Sequence, residues 1–82
     1  MELVEFTEKL VKDLAKEPDM VKVSQFAKED ESIILEIIVH ESDMGAIIGK
    51  GGKMASSIRI IVQAYAYLHN MKHVNINIDS FK

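Results

Sequence analysis

Between residues 47 and 53 the chain reads Ile47-Ile48-Gly49-Lys50-Gly51-Gly52-Lys53, with three glycines and two lysines in the last five positions. Glycine carries no β-carbon, so a chain built this way turns sharply and lets another backbone come within hydrogen-bonding distance. A helix following such a turn opens with unpaired amides and a partial positive charge, which suits phosphate. Lys50 and Lys53 add full charges at the same spot. The chemistry on offer is the binding of an anion, and nothing in it implies a reaction.

Other chemistries fit the residues poorly. The run from Gly45 to Lys50 differs from a nucleotide-binding P-loop: only three residues separate Gly45 from Gly49, and Gly51 follows Lys50 where Ser or Thr is needed. No acid is placed to hold magnesium. His69 and His73 have the four-residue spacing of metal ligands, but a helix end falls between them and no Glu or Cys completes a site. Ser56, Ser57, Tyr65 and Tyr67 offer hydroxyls without a base and its orienting partner. Neither a cofactor nor an enzymatic activity is expected. A plain glycine turn that only reverses the chain would leave Lys50, Gly51 and Lys53 unexplained.

Charge is distributed in a way that favours the anion reading. The net charge is −3, which by itself speaks mildly against nucleic acid. Residues 1–43 are strongly acidic, whereas from Met44 to Ile78 there is no Asp or Glu and every charge is positive: Lys50, Lys53, Arg59 and Lys72. A half-buried helix would explain few charges, but not charges of one sign.

The elements that must position the loop can be read from periodicity. With 82 residues the chain holds one domain, spanning 1–82. Residues 2–16 read as an amphipathic helix with Leu3, Phe6, Leu10 and Leu14 inward, stopped ahead of Pro18. Val21, Val23 and Phe26 begin an extended segment, and 28–31 form a charged turn. Ser32–His40 is the clearest strand, with Ile33, Leu35, Ile37 and Val39 on one face. Ser42 or Asp43 is expected to cap a short helix through Ile48. After the glycine turn a long helix runs from about Lys53 to about Asn70, and His73–Asp79 alternates as a third strand. The expected order is α-β-β-α-α-β, an α+β fold whose three-stranded mixed sheet is covered on one face by helices. The long helix carries two apolar stripes. Met54, Ile58, Ile61, Tyr65 and Leu68 are expected to pack on the sheet; Ile60, Ala64, Tyr67 and Met71 lie elsewhere, covered either by the first helix or by a second copy or another protein. A homodimer is favoured, because pairing multiplies the avidity of a small module.

Ile47 to Lys53, with Ile58 five positions further on, resembles the GXXG signature of KH domains, and the element order resembles their type II arrangement. The length and the segment Asp43-Met44-Gly45-Ala46-Ile47-Ile48-Gly49 are similar to the small bacterial KH proteins of the KhpA or YlqC-like family. That resemblance implies an RNA-binding protein gripping single-stranded RNA, as an RNA chaperone or post-transcriptional regulator. In it Gly49 and Gly52 are the fixed glycines, Lys50 and Gly51 face phosphate, Ile47 and Ile48 line or support the groove floor, and Arg59 is a further contact. It also implies self-association and a larger RNA-binding partner of the KhpB or Jag type. An assembly module or a ribosome-associated factor with the same fold is the alternative. The start of the chain lacks the basic and apolar stretches of a secretory signal, and no apolar run has the roughly 20 residues needed to cross a bilayer. A cytoplasmic location without membrane contact is expected.

Overall fold

A strand that is apolar on both sides needs neighbours on both edges and cover on its face, and residues 33–39 receive them. The computed structural model describes residues 1–71 and 73–81. Helix α1 (Leu3–Leu14) precedes strands β1 (Lys22–Ala27) and β2 (Ile33–Val39), the short helix α2 (Met44–Ile48), the long helix α3 (Lys53–Leu68) and strand β3 (Val74–Ser80). Lys72, one of the four cations of the acid-free stretch, lies outside the described residues. The sheet order is β1-β2-β3, with β1 antiparallel and β3 parallel to the middle strand. The α-β-β-α-α-β order and the mixed sheet match the expectation.

Leu35, Ile37 and Val39 on the inner face of β2 are fully buried, each stabilising the fold by roughly 1.5–3 kcal/mol. Val23 of β1 and Val74 and Ile76 of β3 flank them, and the helices close the core from above. The expected helix faces need correction. In α1 the innermost residues are Leu3, Thr7 and Val11, with Phe6 and Leu10 half-buried beside them and Leu14 exposed. In α3 the buried stripe is Ala55, Ile58, Val62 and Ala66. Of the stripe expected to pack on the sheet only Ile58 is buried; Tyr65 is half-buried, and Met54, Ile61 and Leu68 are exposed. Small residues at 55 and 66 let the helix axis approach the sheet, and larger side chains at those positions would hold it off.

Element ends also differ, each for a local reason. α3 stops at Leu68 because Asn70 takes a left-handed conformation (φ 63°) and the Met71 amide turns back to the Ala66 carbonyl at 2.8 Å. His73, also left-handed, stays out of β3. α1 ends at Leu14, short of Pro18, because Asp43 captures the amides of Lys16 and Glu17. Its Oδ1 accepts from Lys16 N and its Oδ2 from Glu17 N, both at 2.9 Å. Asp43 therefore does not cap α2. Nor does Ser42: its hydroxyl lies 2.7 Å from His40 Nδ1 instead, and no side chain caps α2.

Asp43 is 1% exposed, and the Lys16 and Glu17 amides hold its carboxyl below the ordinary value of 3.8. A carboxyl with a lowered folded-state pKa contributes stability that is complete above its unfolded value and is lost as pH falls through the folded one. Acidification below about pH 3.8 is thus expected to lower the thermal midpoint. Asp43→Asn, which cannot accept both amides, should start several degrees lower at neutral pH and show a shallower acid limb. Circular dichroism melts across pH check this; parallel acid limbs for parent and variant would refute it.

Candidate functional site

Helix α2 is only five residues long, and backbone sterics shape the turn at its end. Gly49 sits at φ 77°, ψ 172°, a region essentially reserved for glycine. A β-carbon there would lie 2.6 Å from Met54 Cβ and 2.8 Å from the Met54 nitrogen. The start of α3 thus presses against the end of α2 with room for hydrogen only. Gly51 (φ 64°) and Gly52 (φ 79°) are left-handed too, but nothing crowds their missing β-carbons. Gly49 makes the close approach, and the other two complete the turn.

The bonds within the turn run from Gly49 N to the Gly45 carbonyl (2.9 Å), from Gly52 N to the Gly49 carbonyl (3.1 Å) and from Lys53 N to the Lys50 carbonyl. The amides of Lys50 and Gly51 donate in none of them. Lys50, Gly51 and Lys53 are exposed and Gly52 is half-buried, so two lysines share one exposed corner at the start of α3. Ile47 is fully buried and anchors the turn from below; Ile48 is half-buried beside it. Residues 47–53 thus form one continuous turn between α2 and α3.

Arg59 stands apart from that corner. It lies six residues into α3, about 9 Å along the axis from Lys53, and its Nε makes a long 3.5 Å bond to the Ile76 carbonyl of β3. One turn further, Gln63 Nε2 donates to the Val74 carbonyl at 3.2 Å. Gln63 is not among the residues that the sequence motifs single out. It is nevertheless the one amide in the apolar run from Ile60 to Leu68, and that isolation was the available signal.

The second stripe of α3 is not covered by α1. Ile60 is 66% and Tyr67 70% exposed, Ala64 is exposed as well, and only Met71 is half-buried against the core. Leu68, expected on the sheet, is 79% exposed on the same outward side. Instead, α1 meets α3 through Phe6, whose ring stacks on Tyr65 at 4.1 Å, and Tyr65 stacks in turn on His69 at 4.4 Å. The Tyr65 hydroxyl donates to the Met1 carbonyl. No cluster of three or more His, Cys, Asp or Glu among the described residues could hold a metal, and no described helix is long and apolar enough to cross a membrane.

Comparison with known proteins agrees with this geometry. The family model described as KhpA/KhpB, KH domain, matches residues 4–78. The RNA-binding protein KhpA of Clostridium perfringens is 44% identical over 70 residues, spanning 85% of this chain and 92% of that protein. The protein of the same name from Clostridium acetobutylicum is 43% identical over 67 residues, spanning 82% and 88%. Among solved structures, Era in complex with MgGDPNP and nucleotides 1506–1542 of 16S ribosomal RNA superposes with a TM-score of 0.65 at 23% identity. That match covers 95% of this chain but 29% of the Era chain, and it shows the shared fold. With a glycine turn of this shape, an α-β-β-α-α-β order and relatives this similar over most of both lengths, the chain belongs to the KhpA/KhpB KH-domain family.

Proposed function

We propose that the chain is a non-enzymatic RNA-binding protein that grips single-stranded RNA at residues 49–53. The observation that carries this reading is the turn itself. Gly49 is held in a glycine-only conformation, and the turn presents Lys50, Gly51 and Lys53 on one exposed corner at the start of α3. In KH domains this loop clamps the backbone of four nucleotides. The relatives named RNA-binding protein KhpA support the assignment. Gly49 and Gly52 shape the loop, Lys50 and Gly51 face phosphate, and Ile47 and Ile48 support the floor. Arg59 extends the contact along α3. An RNA chaperone or post-transcriptional regulator working in the cytoplasm fits such a grip. The test is RNA titration of the parent against the double variant Lys50→Asp, Gly51→Asp; equal affinity would remove the loop assignment.

A specific observation favours association as well. An exposed apolar face on a small protein marks a site of association, and α3 carries Ile60, Ala64, Tyr67 and Leu68 outward over a face that α1 leaves bare. A homodimer through this face, completed by Met71 at its end, accounts for it, and a related KH protein of the KhpB or Jag type could occupy the same surface. Ile60→Glu is expected to weaken pairing at least about tenfold, roughly 1.4 kcal/mol, while leaving the monomer folded because the side chain is already exposed. Sedimentation across a concentration series reads this directly. A parent chain that stays monomeric at high concentration would sink it.

A further inference from the structure

Helix α2 leads into the glycine turn but is too short to hold its own direction. It has five residues and no side-chain cap, and a helix of that length is marginal by itself. Its far end is set by the close approach of Gly49 to Met54. Its near end is set by Asp43 and Ile47, which lie four positions apart on one face and are both buried. Ile47 holds the helix down without fixing an angle, because apolar contact is non-directional. Asp43 does fix one. Its two oxygens accept from consecutive amides, Lys16 and Glu17, at 2.9 Å each, while its own amide donates to the His40 carbonyl at 2.8 Å. Side chain and backbone are thus both tied, and the start of α2 is braced against the chain that leaves α1.

We infer that Asp43 is a positioning residue for RNA binding: its bonds to the Lys16 and Glu17 amides aim α2, and with it the glycine turn, at the phosphate backbone. The inference rests on the reading of residues 49–53 as the RNA contact. Side chains stand about 5–6 Å from a helix axis, so turning α2 by about 30° would swing the groups on it by roughly 3 Å. That is the whole length of a hydrogen bond. Asp43 itself is 1% exposed, so it acts through the turn. Its charge also has the wrong sign for a phosphate contact. Asp43 lies six residues before Gly49, about 9 Å along a helix, within reach of an unscreened charge. Removing that anion would strengthen RNA binding by electrostatics alone. Losing the brace predicts the opposite, which separates the two effects.

The experiment is fluorescence anisotropy with a mixed-sequence single-stranded RNA octanucleotide, at a temperature where circular dichroism shows each protein folded. The proteins are the parent, Asp43→Asn, Glu41→Gln and the Lys50→Asp, Gly51→Asp variant. Glu41→Gln removes the same charge from an exposed side chain two residues away and leaves the brace intact; it should bind at least as well as the parent. Asp43→Asn should bind about tenfold more weakly than Glu41→Gln, the loss expected when the turn is correctly placed about one-tenth of the time. Its salt slope should stay that of the parent, because the phosphates contacted are the same. Hydrogen exchange at the Gly49, Gly52 and Lys53 amides should quicken more than at those of β2. Equal affinity of Asp43→Asn and Glu41→Gln overturns the proposal. So does exchange that quickens uniformly over turn and sheet, because Asp43 would then serve stability only. Should Asp43→Asn fail to fold, the parent still decides. A brace that favours RNA is favoured by RNA equally, so bound RNA should slow exchange of the Lys16 and Glu17 amides, and unchanged exchange overturns the proposal. If the loop variant binds like the parent, the loop reading falls and this inference with it. If the loop variant loses binding while Asp43→Asn matches Glu41→Gln, only the positioning role falls.

Discussion

Gly49→Ala is expected to remove about 3–5 kcal/mol of stability, adding the strain of a glycine-only backbone to a forced displacement of packed atoms. A domain of this size has roughly 4–12 kcal/mol in total, so the variant should be marginally folded at best, with a thermal midpoint lower by about 15–30 °C. The cause is local and double. At φ 77°, ψ 172° any β-carbon is strained, and an alanine methyl would also sit 2.6 Å from Met54 Cβ. Relief would require α2 and α3 to separate, exposing Ile47 and Ile58, both now buried. Gly51→Ala is the control. It shares the positive φ but meets nothing within 4 Å, so it should cost only about 1–2 kcal/mol. Urea unfolding of the two variants beside the parent measures the difference. Equal, small losses would mean that the junction of the two helices rearranges freely.

The second large effect concerns binding. Lys50→Asp with Gly51→Asp reverses one charge and adds another at the exposed corner, a change of three units where phosphate is proposed to sit. Aspartate tolerates the left-handed backbone of residue 51 better than most residues, and the space around Gly51 is open, so the fold should survive with a loss of about 1 kcal/mol. RNA affinity should fall at least about a hundredfold, roughly 2.7 kcal/mol. The salt dependence should change too. With two or three phosphates neutralised, the parent should lose affinity with a log–log slope of about −1.4 to −2.1, and the variant's slope should approach zero. Unaltered affinity and slope in a variant whose circular dichroism matches the parent would exclude the loop as the RNA contact.

The loop and the strands were legible in the sequence because each rests on a pattern with one solution. Alternation in 74–78 fixes which side chains face inward there, and the β-branched, almost wholly apolar run 33–39 marks a buried strand between two neighbours. Gly49 to Lys53 declares itself by residue type. The helix faces were not legible, for a physical reason. From Met54 to Leu68 eleven of fifteen α3 residues are apolar, so Met54-Ile58-Ile61-Tyr65-Leu68 and Ala55-Ile58-Val62-Ala66 are equally good helical stripes. Bulk favours the first and the close approach of helix to sheet requires the second. The same ambiguity shifts α1 toward Thr7 and Val11. Asp43 misleads because a carboxylate before a short helix looks like its cap. The amides it binds belong to Lys16 and Glu17, 27 and 26 residues away in sequence, and no local pattern encodes that.

The strand order also bears on how the chain is made. β2 is the middle strand, yet its parallel neighbour β3 is the last of the six elements to be synthesised. Until residues 74–80 emerge, one edge of the most apolar segment in the protein has no backbone partner, and α3 has only part of the surface it will cover. Pairing 33 with 74 closes a long loop before any of its contacts can repay the entropy, which slows folding relative to an antiparallel hairpin. The nascent chain therefore passes through a stage that is collapsed, incomplete and able to stick to its neighbours. A cell making this protein has reason to keep that interval short.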